Sequence, residues 1–258
     1  MKIRVAAWAA AALTIVLIAW FWQGIDDSAA NFLSRPSTVL ADLKNWVVDP
    51  PLRSDIFVTV GEAGLGLVIA SLAAIVLASV LAANRTVAEV AEPFISATNA
   101  IPKLALAPLF ILVFGIAFTS KVAFVAVSVF FIPFYALFHA LRTVDPTVLD
   151  HVRILGANRL HVSRDVYVPA VIGSVTASLR SAVAFALVTA VIAELIAANA
   201  GIGYSISAAA QNGAPGRLIS GILLIGIIGF ILDRVLLLVE RRFSRWRVAA
   251  AHADGVAG

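Results

Sequence analysis

Six stretches of this chain are apolar enough and long enough to cross a lipid bilayer: Val5–Trp22, Phe57–Ala83, Ile101–Phe118, Val122–Leu141, Val171–Ala198 and Leu218–Val239. A transmembrane helix needs about 20 largely apolar residues. The third and fourth stretches nearly merge. Only Gly115 and the polar Thr119-Ser120-Lys121 separate them, and that break reads as a short turn in a helical hairpin. The chain is 61% hydrophobic and 13% charged, where a soluble domain averages about 45–50% apolar and about 25% charged. So much apolar surface must face lipid. The fold class is therefore all-α integral membrane with six transmembrane helices, which excludes most soluble enzymes and any disordered reading.

The first stretch follows Lys2 and Arg4, a pattern that a signal peptide shares. Its apolar run exceeds the usual h-region of about 7–15 residues, and it ends in the aromatic cluster Trp20-Phe21-Trp22. A retained span is the favoured reading, with Ser28-Ala29-Ala30 leaving cleavage open. A cytoplasmic N-terminus places about 13 Lys and Arg inside and about 5 outside, with Arg180 in the membrane, and the opposite topology reverses that ratio. Both termini are then cytoplasmic, and residues 1–258 form a single membrane domain. The basic run of the tail, Arg241, Arg242, Arg245 and Arg247, is most simply an orientation signal and headgroup anchor, with no nucleic acid needed. Outside, Ile25–Asp55 is too short for a ligand-binding domain. Pro36-Ser37 can start a short helix through Leu43, and Pro50-Pro51 stops the chain before the next span.

Much chemistry is missing. The chain has no Cys, no His-Glu-x-x-His, no Gly-x-Ser-x-Gly and no Gly-x-x-x-x-Gly-Lys-Ser/Thr phosphate loop. His139, His151, His161 and His252 lack metal-ligand spacing. No catalytic residue, metal site or bound cofactor is expected.

The segment 142–169, between the fourth and fifth spans, is longer than a passive connection requires. Asp145-Pro146 supplies an N-cap and a first-turn Pro, and Gly156 supplies a stop. Between them Val148, Leu149, Val152 and Leu155 form an apolar stripe at helical spacing, opposite Asp150, His151 and Arg153. Asn158 can cap a second short helix ending before Pro169. Such a helix either lies on the headgroups or docks into a groove on a cytoplasmic partner.

These residues bring a resemblance into view. Asp150-His151-Val152, three residues, Gly156, nine residues and Val166-Tyr167-Val168-Pro169 resemble the EAA loop of binding-protein-dependent ABC importer permeases. That loop reads Glu-Ala-Ala, three residues, Gly, nine residues, Ile-x-Leu-Pro. Asp150 shortens the acid, and His151 and Val152 replace both alanines. The run Ala100 to Phe110, the segment Phe114–Lys121, Leu179-Arg180, Ala193-Glu194 and Gly201-Ile202-Gly203-Tyr204 resemble the nitrate/sulfonate/taurine branch of that family, over about Ser34 to Trp246.

The resemblance implies a type I ABC importer permease fold with a cytoplasmic coupling helix between spans four and five. It implies a non-catalytic subunit, most simply in a homodimer, docked on two ABC ATPase subunits that use ATP and Mg. A periplasmic or lipid-anchored binding protein would deliver a small anionic solute of the nitrate, sulfonate or taurine kind. Carried over position by position, it gives Asp150, His151, Val152, Leu155, Gly156, Ala157 and Pro169 to ATPase coupling. A gradient-driven secondary transporter is the alternative, although the inverted repeats expected of many such proteins are not apparent.

Charges and prolines within spans are the remaining candidates for the pathway. Arg180 lies about 14 Å along the fifth span, where an unpartnered charge costs at least about 2.5–3.5 kcal/mol. Two roles fit it: an attractor for an anion, or a structural Arg that satisfies carbonyls or pairs with an acid. Glu194 is near the outer end, placed to shape a gate or the Gly201–Gly203 loop, and Glu62 is similarly near the outer end of the second span. Pro102 reads as the start of a helix, Pro108 and Pro133 as kinks. Gly221, Gly226 and Gly229 read as close-packing positions.

Overall fold

The computed structural model describes residues 34–143 and 146–254, and these are helical apart from short connections. Four stretches qualify as membrane spans by length and composition: Pro50–Ala82, Phe118–Arg142, Val171–Ile196 and Pro215–Leu238. A fifth candidate is a pair, Thr86–Ala100 and Lys103–Phe114, bent by 70° at its junction. The expected span Val5–Trp22 lies outside the described residues.

Proline and glycine set most of the boundaries. α1 (Pro36–Val48) starts on a first-turn Pro and runs one turn beyond the expected Leu43. Pro50-Pro51 does not merely stop the chain. Both residues occupy the first turn of α2 (Pro50–Ala82), where a missing N–H is harmless, so this helix begins well before Phe57. Asn84 caps α3 (Arg85–Ala100) by accepting from the Thr86 and Val87 amides. A 3₁₀ turn, Lys103–Leu106, follows Pro102 and leads into α4 (Ala107–Phe114). Pro108 sits in the first turn of α4, so it initiates a helix and does not kink one.

Gly115, at φ +76°, ends α4. The break covers residues 115–117, and the expected turn residues Thr119-Ser120-Lys121 already belong to α5 (Phe118–Val129). α5 and α6 (Phe131–Arg142) form one span interrupted at Phe130. Pro133 accounts for the interruption, since it has no N–H to return to the Val129 carbonyl. In the 142–169 segment, α7 (Pro146–Ile154) ends in a turn at residues 155–158, and α8 (Arg159–Val162) then runs into a π turn, Ser163–Tyr167. α9 (Val168–Ile196) follows without a break, with Pro169 in its first turn. The second short helix therefore merges with the span and does not stop ahead of Pro169. α10 (Ile202–Gln211) and α11 (Pro215–Asp254) complete the chain.

α2 is the spine. Its buried face runs Asp55, Thr59, Glu62, Gly66, Ala70, Ala74 and Ala78, polar at one end and small at the other. Small residues let helices approach closely where lipid supplies no hydrophobic driving force. Ala63 and Ala70 of α2, Val125 and Val129 of α5, and Ala182, Ala186 and Ala190 of α9 form the central cluster. A second cluster joins Ala74 and Ala78 to Phe134, Leu137 and Phe138 of α6. α1 lies against α11, where the buried Trp46 indole donates to Ser220 at 3.0 Å. Of the three glycines expected to allow close packing, only Gly221 is tight: a Cβ there would stand 2.6 Å from Ile206 Cγ1. Gly226 is open and Gly229 makes ordinary contact.

Gly66 tests the spine, because a Cβ at that position would fall 2.5 Å from Val125 Cγ1, whereas Gly64 faces open space. Gly66→Leu is expected to destabilise the detergent-solubilised protein by about 1–3 kcal/mol or more, seen as a lower melting temperature, while Gly64→Leu melts like wild type. Equal melting of the two variants would contradict the α2–α5 contact.

Candidate functional site

A helix leaves its first amides without intrahelical acceptors, and where those amides are buried, water is not there to take them. At the start of α10 three consecutive amides are taken by side chains from other helices. Gly201 N donates to Asp55 Oδ1 at 2.8 Å, Ile202 N to Thr59 Oγ1 at 2.8 Å, and Gly203 N to Glu194 Oε2 at 2.6 Å. Thr59 Oγ1 donates in turn to Glu194 Oε1 at 2.7 Å, and Ser205 Oγ to Asp55 Oδ2 at 2.6 Å. Thr59 and Glu194 are fully buried and Asp55 nearly so. The positive end of the α10 dipole faces both carboxyl groups.

Two glycines make this approach possible. Gly201 holds φ +112°, and a Cβ there would collide with the Glu194 carboxylate. At Gly203 a Cβ would stand 2.6 Å from the Val191 carbonyl oxygen. Two turns along α2 from Asp55, the fully buried Glu62 faces Lys121 of α5, with Nζ 3.4 Å from Oε1. Neither Glu62 oxygen has a hydrogen-bond partner among the described residues, and Lys121 is the cation set against it. Beside this cap is an open cavity of about 270 Å³ whose polar lining includes Tyr204, Ser207, Gln211 and Asn212.

Glu194 thus stands against the Gly201–Gly203 loop, as its spacing suggested. Asp55, Thr59 and Lys121 were not singled out from the sequence as members of this site. The available signal was polar residues at 55, 59 and 62, which share one face of an otherwise apolar helix.

The other intramembrane charge is paired. Arg180 Nε donates to Asp233 Oδ1 of α11 at 2.9 Å, and Nη2 lies 2.8 Å from the same oxygen. Of the two roles open to Arg180, pairing with an acid is the one observed. Pro102 lies at the 70° bend between α3 and α4.

In the 142–169 segment Gly156 has φ +86° with nothing within 4 Å of a Cβ, so it is required for its backbone and not for space. Ala157 N bonds the Val152 carbonyl, and Asn158 Oδ1 caps α8 through the Leu160 and His161 amides. The His151 ring lies 2.7 Å from the Thr147 carbonyl. Ile154 and Leu155 are 82% and 86% exposed. The side chains of Asp150 and Pro169 lie outside the described set.

Long apolar helices around a buried polar cap, with bare apolar side chains at the end of α7, define a multi-pass membrane protein. Residues 66–245 match the family described as binding-protein-dependent transport system inner membrane component, and the chain belongs to that family as an ABC transporter permease subunit. It is 26% identical over 238 residues to the putative aliphatic sulfonates transport permease protein SsuC of Bacillus subtilis, covering 91% of this chain and 86% of the relative. It is 27% identical to the taurine transport system permease protein TauC of Escherichia coli, over 91% and 87% of the two chains. Among solved structures, an amino acid ABC transporter covers 79% of this chain and 97% of its own at TM-score 0.60 and 19% identity. The inward-facing MetNI methionine ABC transporter covers 85% and 99% at TM-score 0.56 and 15% identity. At these identities they establish a shared fold.

The cap is testable through its hydroxyl. Thr59→Val leaves the Ile202 amide without an acceptor, a loss of about 1–3 kcal/mol, and is expected to lower the melting temperature, whereas Thr59→Ser recovers most of it. A valine variant as stable as wild type would show that the cap contributes little.

Proposed function

We propose that this chain, paired with a second permease subunit, forms the translocation pathway of an ATP-driven importer for a small anionic solute of the sulfonate or taurine class. A separate binding protein delivers the solute, and two ATPase subunits supply the ATP and Mg chemistry that this chain lacks. The chain itself is non-catalytic. In this reading residues 1–258 are one membrane domain with six spans, the bent α3–α4 pair being the third. Both termini lie in the cytoplasm of a cell bounded by the cytoplasmic (inner) membrane. The relatives named for aliphatic sulfonates and taurine support the solute class.

The observation that carries the coupling role is the α7 terminus. Ile154 and Leu155 stand out from the bundle just before a glycine at positive φ, the kind of apolar knob that seats in a groove on another protein. Asp150, His151, Val152, Leu155, Gly156, Ala157 and Pro169 are assigned to this contact. α7 joins α8 through the tight turn at residues 155–158, and α8 continues through the π turn into α9, so displacement of the docked helix would reach the span bearing Arg180 and Glu194. Those two residues, with Pro102 and Pro108 at the bent pair, are assigned to the pathway or its gate.

Uptake by vesicles containing the full complex should require ATP and the binding protein. Flux that survives ATP removal and collapses with an ion gradient would instead make the chain a secondary transporter. Gly156→Trp should leave membrane insertion intact while cutting ATP-coupled uptake by on the order of tenfold or more, since it combines a strained φ with bulk at the docking surface. Normal ATPase association and normal uptake in that variant would refute the docking assignment.

A further inference from the structure

The outward faces of the long helices differ in kind. α2 presents Leu65, Val68, Ile69, Leu72, Val76 and Val80, and α11 presents Ile222, Leu223, Ile227, Phe230 and Ile231. These are the side chains that hydrocarbon accepts. α9 instead exposes Ala177, Ser181 and Ala184, between Ile172 and Val188. Arg180 belongs to this same face, because positions 177, 180, 181 and 184 fall within about 100° of helix rotation. The Arg180 and Asp233 side chains are 40% and 37% exposed. A charged pair left that open inside a span is costly against lipid, so this face of α9 meets water or protein.

The geometry of the pair is incomplete. Arginine and a carboxylate commonly join through two parallel bonds to two oxygens. Here Nε and Nη2 both address Asp233 Oδ1. The Nη1–Nη2 edge of the guanidinium has no partner among the described residues, and neither has Asp233 Oδ2. A planar donor fork is left over, of the shape that takes two oxygens of a second oxyanion.

We propose that Arg180 and Asp233 form an oxyanion-exchange site on the pathway wall, where the passing solute's anionic group engages the free Nη1–Nη2 edge of Arg180. Asp233 is the resident anion: it holds the guanidinium in place, offsets its charge between solutes, and repels the solute so that it leaves. This rests on the import reading and narrows it, since the ligand must carry a single sulfonate, carboxylate or nitrate-like group. A lipid phosphate has the same chemistry, and the test separates the two sources.

The test uses the permease–ATPase complex, first in detergent and then with its binding protein in phosphatidylcholine vesicles. The probes are labelled taurine and methanesulfonate. In detergent, Asp233→Asn should strengthen equilibrium binding of the probes by on the order of tenfold, and Arg180→Ala should abolish it. In vesicles, both should slow uptake at saturating loaded binding protein by a similar factor. The exchange variant carrying Arg180→Asp and Asp233→Arg keeps an ion pair, and should assemble and melt like wild type without recovering binding or uptake.

Wild-type uptake in the exchange variant, or unchanged binding in Asp233→Asn, would overturn the proposal and leave a structural ion pair. Effects that appear only when phosphatidylglycerol is added would assign the fork to a lipid headgroup and overturn it for the solute. A wild-type complex that imports an uncharged solute and neither probe would overturn the anion reading itself, and it does so before any variant is compared.

Discussion

Three backbone amides at the start of α10 have no acceptor within their own helix, and their satisfaction by Asp55, Thr59 and Glu194 is the constraint from which much of the bundle follows. An unpaired amide in a dry interior costs several kcal/mol. The side chains must therefore come from helices held at fixed distance, which ties α2 and α9 to the connection that leads into α11. Gly201 and Gly203 are explained by the same bonds, since any side chain there would occupy the space of the Glu194 carboxylate or the Val191 carbonyl. The Glu62–Lys121 pair brings α5 into the arrangement. From this end the packing passes to alanines and glycines along the rest of α2, where helices meet by shape and not by charge.

The two ends of the bundle are built by opposite rules. At the cap, polar groups are buried and matched. At α7, apolar groups are left bare, with Ile154 and Leu155 almost fully exposed. α9 joins them as a helix of 29 residues, entered through the π turn from α8 and ending two residues past Glu194. In the proposed importer this helix is the mechanical element: a partner moves its cytoplasmic end, and the cap and the Arg180–Asp233 pair respond. The family match over residues 66–245 takes in α7, the Arg180–Asp233 pair and the Glu194 and Gly201–Gly203 side of the cap, while Asp55 and Thr59 precede it.

What the sequence disclosed depended on range. Local rules found the stop at Gly156, the Asn158 cap and the first-turn Pro of α1, because each is decided by residues within one turn. Apolar runs located the four stretches that qualify as spans, though α2 begins earlier than its run, since Arg53 and Asp55 break the run without breaking the helix. The run Ile101–Phe118 covers only the second half of the bent α3–α4 pair. Proline was ambiguous for a physical reason. The same residue starts a helix in its first turn and disrupts one in its interior, and Pro108 and Pro133 fall on different sides of that distinction. Pairings were beyond reach: Asp233 lies 53 residues from Arg180, and Thr59 lies 135 from Glu194. Nothing in the spacing of one helix names its partner on another.

The central claim is that this chain supplies a route through the membrane while other subunits supply ATP hydrolysis. The most direct measurement is mild-detergent affinity purification of the full chain from its native host, with the co-purifying subunits identified by mass. The account predicts a soluble ATPase in equal ratio to the permease. Recovery of this chain alone, under conditions that preserve a known ATPase-coupled complex, would contradict it.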